Sequence, residues 1–199
     1  MRALRTTGKI LVVLGLTVLF FVFYEVAGTS IITEHHQQAL AREFDDEVRA
    51  HNPVVGKTPS PEPALPRHAV ARIVIPKIGV DRIVVEGVTP GDLRYGPGHY
   101  PRTPMPGERG AAGIAGHRTT WGAPFNRLDE LVAGDMIILQ TPRASYRYRV
   151  THSKVVDPGD SWVLTGDPRS TASRRLTLTT CQPKYSAAHR LVVWADLIP

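Results

Sequence analysis

Thr177-Leu178-Thr179-Thr180-Cys181, with Leu176 before it and Gln182-Pro183 after it, alternates apolar and hydroxyl side chains with a period of two. That is the pattern of a half-buried strand. Cys181 falls on the threonine face, pointing away from Leu176 and Leu178. Pro183 ends the strand, because proline has no N–H to give to a ladder. A second apolar run, Leu191-Val192-Val193-Trp194, opens just after Arg190. Two strands joined by so short a loop are most simply antiparallel neighbours. In that pairing Arg190, at the start of the second strand, stands beside Cys181, at the end of the first. A neighbouring guanidinium favours a thiolate, so the pair reads as a nucleophile with a cation built in.

Cys181 is the only cysteine in 199 residues, so it makes no internal disulfide. Many free cysteines are simply small core side chains, whereas a lone thiol outside the cytoplasm asks for a chemical explanation. The compartment therefore matters. Arg2, Arg5 and Lys9, in a basic stretch over residues 1–9, precede an uncharged apolar run from Ile10 to Tyr24 that mostly apolar residues extend to Ile32. Counted over residues 10–32, it is long enough for a transmembrane helix. The basic flank orients it N-inside, with the remainder of the chain outside the membrane. Val26-Ala27-Gly28 offers a possible cleavage site; an uncleaved single-pass signal anchor is the favoured reading.

Residues 33–68 read as a polar, solvated helical or disordered stalk and a linker with five prolines between Pro53 and Pro66, an extended spacer outside any core. His35-His36 makes a poor metal pair, since adjacent helical positions diverge. Residues 69–199 then form one domain with ample chain for a single core. Its strands are expected at 70–75, 79–85, 111–117, 135–140 and 144–156, followed by the two already described. A turn-rich segment follows at 89–100, with a short helix at 123–131 and a possible helical turn at 162–164. Many short strands with turn signals between them argue for an all-β barrel or sandwich.

The domain carries 17 basic and 11 acidic side chains, which accounts for the whole net charge of +6. Outside a membrane, and with no basic run interleaved with aromatics, nucleic acid is not the expected partner; anionic wall polymers or headgroups fit better, and a merely solvated basic surface better still. A nucleophilic cysteine needs a proton-transfer partner, most often histidine. Of the eight histidines, His35, His36, His51 and His68 lie in the stalk and linker, and His152 lies on a charged strand. His117 stands where the small-residue strand Gly113-Ile114-Ala115-Gly116 gives way to the polar turn Arg118-Thr119-Thr120, the place where catalytic side chains tend to sit. His189, beside Arg190, is the second choice.

Ala115-Gly116-His117-Arg118, Thr177-Leu178-Thr179-Thr180-Cys181 and then Arg190 resemble the His, TLxTC and Arg signatures of the sortases, in that family's order. Gly98-His99-Tyr100-Pro101 and Cys181-Gln182-Pro183-Lys184-Tyr185 are most similar to class E, with classes D and F near by. The resemblance covers residues 70–198. It implies an eight-stranded sortase-type β-barrel with one or two short helices behind the N-terminal transmembrane helix. It also implies a membrane-anchored cysteine transpeptidase that cuts LPxTG- or LAxTG-type sorting signals between Thr and Gly through a thioacyl enzyme. The acyl group would pass to a peptidoglycan-precursor amine of the lipid II type. Cys181 would be the nucleophile, His117 the acid and base, and Arg190 the donor to the oxyanion. Thr180 would help to orient substrate or Arg190, and Tyr100 would shape the pocket for the second motif position. No metal or other cofactor is carried over.

Two other classes of function compete. Papain-like wall hydrolases place Cys before His, and L,D-transpeptidases set Cys directly after His-Gly; this chain does neither. A non-catalytic wall-binding barrel would not need His117 and Arg190 together.

Overall fold

The computed structural model describes residues 2–24, 28–51, 69–166 and 170–198. Two long helices come first, α1 (Arg2–Phe23) and α2 (Thr29–His51). Strands β1 (Ala69–Ile75) and β2 (Val80–Glu86) follow, then a one-turn helix α3 (Pro90–Leu93). Next come β3 (Gly98–His99), β4 (Gly110–Ala115), β5 (Met136–Gln140) and β6 (Ser145–Val156). The chain closes with β7 (Arg174–Gln182) and β8 (His189–Ile198).

The eight strands close into a barrel in the order β1-β2-β3-β4-β7-β8-β6-β5. Seven were legible from apolar alternation. The eighth, β3, has two residues and no periodicity to show. It pairs with β2 in parallel and with β4 antiparallel. Inward side chains of every long strand fill one core that includes Ile73, Ile114, Leu139, Tyr148, Leu176, Leu178 and Val193. Leu176 and Leu178 point into it, while Thr177 and Thr179 on the opposite face bond to Val163 and Tyr100.

Three expectations need correction. The 123–131 segment is not an α-helix: only the 3₁₀ turn Leu128–Glu130 is helical, although Phe125, Leu128 and Leu131 are buried as their spacing required. Trp121 and Ala123 have φ of 52° and 41°, so no helix can start there. The expected strand at 111–117 stops at Ala115, leaving His117 on the turn beyond it.

The stalk, finally, is helical, with one face seated on the barrel and the other exposed. Leu40 and Phe44 of α2 are buried against Ile83 and Val85 of β2, and the buried Gln37 bonds to the β2 backbone. Thr29 and Thr33 are each 2% exposed against the domain, so residues 29–32 begin α2 and do not continue the apolar span. Within α1, residues 6–23 have a mean hydropathy of 2.1 and are wholly exposed, long and apolar enough to cross a membrane. The proline-rich linker, residues 53–66, lies outside the described residues, as does His68.

Candidate active site

β4 and β7 run parallel, with Ala115 opposite Thr179, and the Gly116 N–H donates to the Thr179 carbonyl at 3.1 Å. His117 follows directly after Gly116, on the turn that leaves β4, and the next residue, Arg118, donates to the Cys181 carbonyl at 3.2 Å. β8 runs antiparallel to β7, and Cys181 pairs directly with Arg190. Two adjacent strands, β7 and β8, and the turn that leaves β4 thus bring three chemically distinct side chains to one end of the barrel. Parallel pairing is what puts the C-terminal ends of β4 and β7 on the same rim.

Each residue is held locally. Gly116 packs so close to the Phe125 ring that a Cβ would come within 2.5 Å of it. The Phe125 N–H donates to the His117 carbonyl at 3.1 Å. His117 is half-buried, and its buried Nε2 has no hydrogen-bond partner among the described residues. Burial pushes its pKa below the ordinary histidine value, since desolvation penalises the imidazolium. The resting group is therefore a neutral imidazole with one nitrogen uncommitted. Cys181 is a free, partly accessible thiol. Nη1 of Arg190 donates to the carbonyls of Ala187 and His189, both at 3.0 Å, which curls the guanidinium over the β7–β8 loop.

Tyr100 and Thr180 are also at this end. The Tyr100 hydroxyl lies 3.0 Å from Thr179 Oγ1, on the Cys181 face of β7. Thr180 is 3% exposed and donates to the Gly116 carbonyl at 2.8 Å. Its hydroxyl is committed to the backbone just before His117 rather than presented to solvent. His189 takes a different place. It pairs in register with Gln182, so alternation sends it to the opposite face from Arg190, and its Nδ1 sits 3.2 Å from Asp157. His99, passed over in the sequence, is 2% exposed between Glu86, at 2.8 Å, and the Pro104 carbonyl, at 3.1 Å. Among the described residues no three His, Cys, Asp or Glu side chains gather as a metal site.

Arg118 is a site residue that the sequence reading missed. Its buried guanidinium donates to the Asn126 carbonyl at 2.9 Å, to the Cys181 carbonyl at 3.2 Å and to Gln182 Oε1 at 2.7 Å, and pairs with Asp129 at 3.0 Å. It ties the turn after His117 to the strand end that carries the thiol. The only hint was an arginine set directly after a run of small buried residues.

The sortase-domain family model matches residues 73–198. The chain belongs to the sortase family. It is 30% identical to sortase SrtE1 of Streptomyces coelicolor over 98% of its own length, and spans 57% of that protein. Among solved structures, a sortase D5 transpeptidase of Clostridium perfringens superposes with a TM-score of 0.66 at 28% identity, covering 83% of this chain and 99% of that one. Sortase E1 of Streptomyces coelicolor, solved with a tripeptide in its active site, gives 0.62 at 31% identity, covering 66% and 88%. This sortase is thus similar to both class E and class D members.

Proposed function

We propose that this chain is a membrane-anchored cysteine transpeptidase that cleaves sorting signals of the LPxTG or LAxTG type between Thr and Gly. The acyl group is passed to a peptidoglycan-precursor amine of the lipid II type. The observation that carries the reading is the pairing of Cys181 with Arg190 across β7 and β8, at the end of the barrel where the His117 turn leaves β4 and Arg118 bonds the Cys181 carbonyl. The apolar α1 supports single-pass anchoring, with the barrel outside the membrane.

The chemistry follows from the residues. The Cys181 thiolate attacks the threonine carbonyl, and Arg190 donates to the oxygen as it becomes an oxyanion. A permanently charged planar fork suits that task better than a flexible ammonium. His117, protonated when the thiol gives up its proton, delivers that proton to the departing glycine nitrogen as the C–N bond breaks. The thioester left on Cys181 is attacked by the acceptor amine, whose proton returns to His117. The Cys181 thiolate leaves as the new amide forms. His117 is suited to the double role because burial favours its neutral form and no other side chain among the described residues claims its buried Nε2. Thr180 and Tyr100 act on this centre through Gly116 and Thr179. We assign Tyr100 to the wall of the pocket for the second motif position.

Mass spectrometry of the protein incubated with LAxTG and LPxTG peptides and a glycine amine tests this. The expected result is an acyl adduct on Cys181 ending in threonine and a ligated product. Cleavage at another bond, or no adduct on Cys181 with either peptide, overturns the reading.

A further inference from the structure

The turn that follows His117 is held in an uncommon backbone conformation by a helix remote from it in sequence. Trp121 and Ala123 adopt the left-handed region, with φ of 52° and 41°. Side chains with a Cβ keep such conformations only where their surroundings enforce them. The enforcing contacts come from the first turns of α2. The Trp121 N–H donates to Thr29 Oγ1 at 3.3 Å, and a Cβ at Gly122 would touch the Thr33 methyl. The Arg94 guanidinium lies 5.0 Å over the Trp121 ring, and the Arg94 carbonyl accepts from Thr33 Oγ1 at 2.9 Å.

α2 is itself fixed to the barrel by a device that continues a β-ladder. On β2 the Gly87 and Val85 N–H groups donate to His99 and Pro97. Two residues earlier, at Ile83, β3 has not yet begun, and the Gln37 carboxamide takes its place. It accepts from the Ile83 N–H at 2.7 Å and donates to the carbonyls of Ile83 at 2.9 Å and Tyr95 at 2.6 Å. Gly96 makes room, since a Cβ there would collide with the Gln37 amide. Thr29, Thr33, Gln37, Leu40 and Phe44 thus form one continuous face, and its first residue stands only six positions beyond the end of α1.

We propose that α2 positions the His117 turn, with the Thr29 hydroxyl as the contact that fixes Trp121, so that the helix leaving the membrane is part of the catalytic apparatus. Thr29 is a positioning residue: it touches no reacting atom and acts through the backbone of residues 117–126. In its rate measurement this rests on the transpeptidase reading; in its exchange measurement it does not.

The test uses the full chain in detergent micelles and three variants, Thr29→Val, Thr29→Ser and Gln37→Ala. Thr29→Val keeps the shape and removes the acceptor. Losing that one bond should speed amide exchange over residues 118–126 about fivefold and lower kcat on the LAxTG peptide about fivefold, with KM within about twofold. Thr29→Ser, which keeps the hydroxyl, should stay within about twofold of wild type in both. Gln37→Ala, which loosens α2 from β2, should speed exchange in the same segment. Unchanged exchange in Thr29→Val, faster exchange without a fall in kcat, or a Thr29→Ser as impaired as Thr29→Val each overturns the proposal. Should the wild-type chain turn over no peptide at all, the transpeptidase reading fails, and the exchange comparison still decides whether α2 holds the turn.

Discussion

Arg118 is 3% exposed, and a buried guanidinium is tolerable only because nearly every donor has an acceptor. Its acceptors lie on both sides of the proposed catalytic centre, at Asn126 beyond His117 and at Cys181 and Gln182. Lysine offers a point charge in place of a fork and cannot reach all of them. Arg118→Lys should therefore keep the barrel fold but lower kcat by about tenfold or more, because a misplacement of about 1 Å can cost as much as 10²-fold. Activity within about twofold of wild type would show that the clamp does not set the geometry. The histidine assignment belongs at the same scale. His117→Ala should abolish transpeptidation while Cys181 still titrates as one free thiol, as expected for a group worth about 10²–10⁴-fold. His189→Ala should keep at least about a tenth of wild-type activity, since His189 faces Asp157 on the other side of β8. An inactive His189→Ala beside an active His117→Ala, both assayed by peptide ligation, would reverse the assignment.

At the scale of elements, α2 adds a second, smaller apolar cluster to the barrel core. Ile83 and Val85 of β2 are 2% and 0% exposed only because Leu40 and Phe44 cover them. Leu40→Ala should cost about 2–5 kcal/mol, the usual range for emptying a buried leucine site. A chain beginning at Ala69 should melt well below one beginning at Thr29, by differential scanning calorimetry. Equal melting temperatures would mean that α2 is only loosely seated. The strands themselves were legible in the sequence because alternation is a direct consequence of one face being buried. That is why the antiparallel pairing of Cys181 with Arg190 could be read from Leu176 to Trp194 alone. α2 was misread because its docking face mixes Thr29, Thr33 and Gln37 with Leu40 and Phe44. Residue-type counts make such a helix polar, although a spacing of four, four, three and four places all five on one side. β3 and the Arg118 clamp were illegible for a different reason: both are defined by contacts between segments far apart in sequence. The helix at 123–131 was misjudged because a spacing of three fits a 3₁₀ turn as well as an α-helix.

At the scale of the whole molecule, pH should act on stability in two separate windows. His117 has its pKa lowered by burial. Below the ordinary histidine value of about 6.5 the unfolded chain therefore binds a proton that the folded chain resists. By linkage, stability falls as pH drops through that value and the loss is complete once pH is below the lowered folded value. Asp81 has its pKa lowered chiefly by its hydrogen bonds from Arg72, at 2.6 and 2.8 Å. Its contribution is present above the ordinary carboxylate value of about 3.9 and disappears only as pH falls through its lowered value. Other groups confuse a simple pH scan: His36 is also lowered by burial, and a chain already at +6 gains positive charge on acidification. Both effects are common to wild type and variants, so differences between chains isolate each site. We expect wild type to lose more stability than His117→Ala between pH 7.5 and 5.5, measured by thermal unfolding, while Asp81→Asn tracks wild type over that interval. Below about pH 4 the order should change, with wild type now losing more than Asp81→Asn. If His117→Ala and wild type fall in parallel from pH 7.5 to 5.5, the imidazole is not desolvated in the folded protein. The neutral, uncommitted base on which the proposed mechanism depends would then be absent.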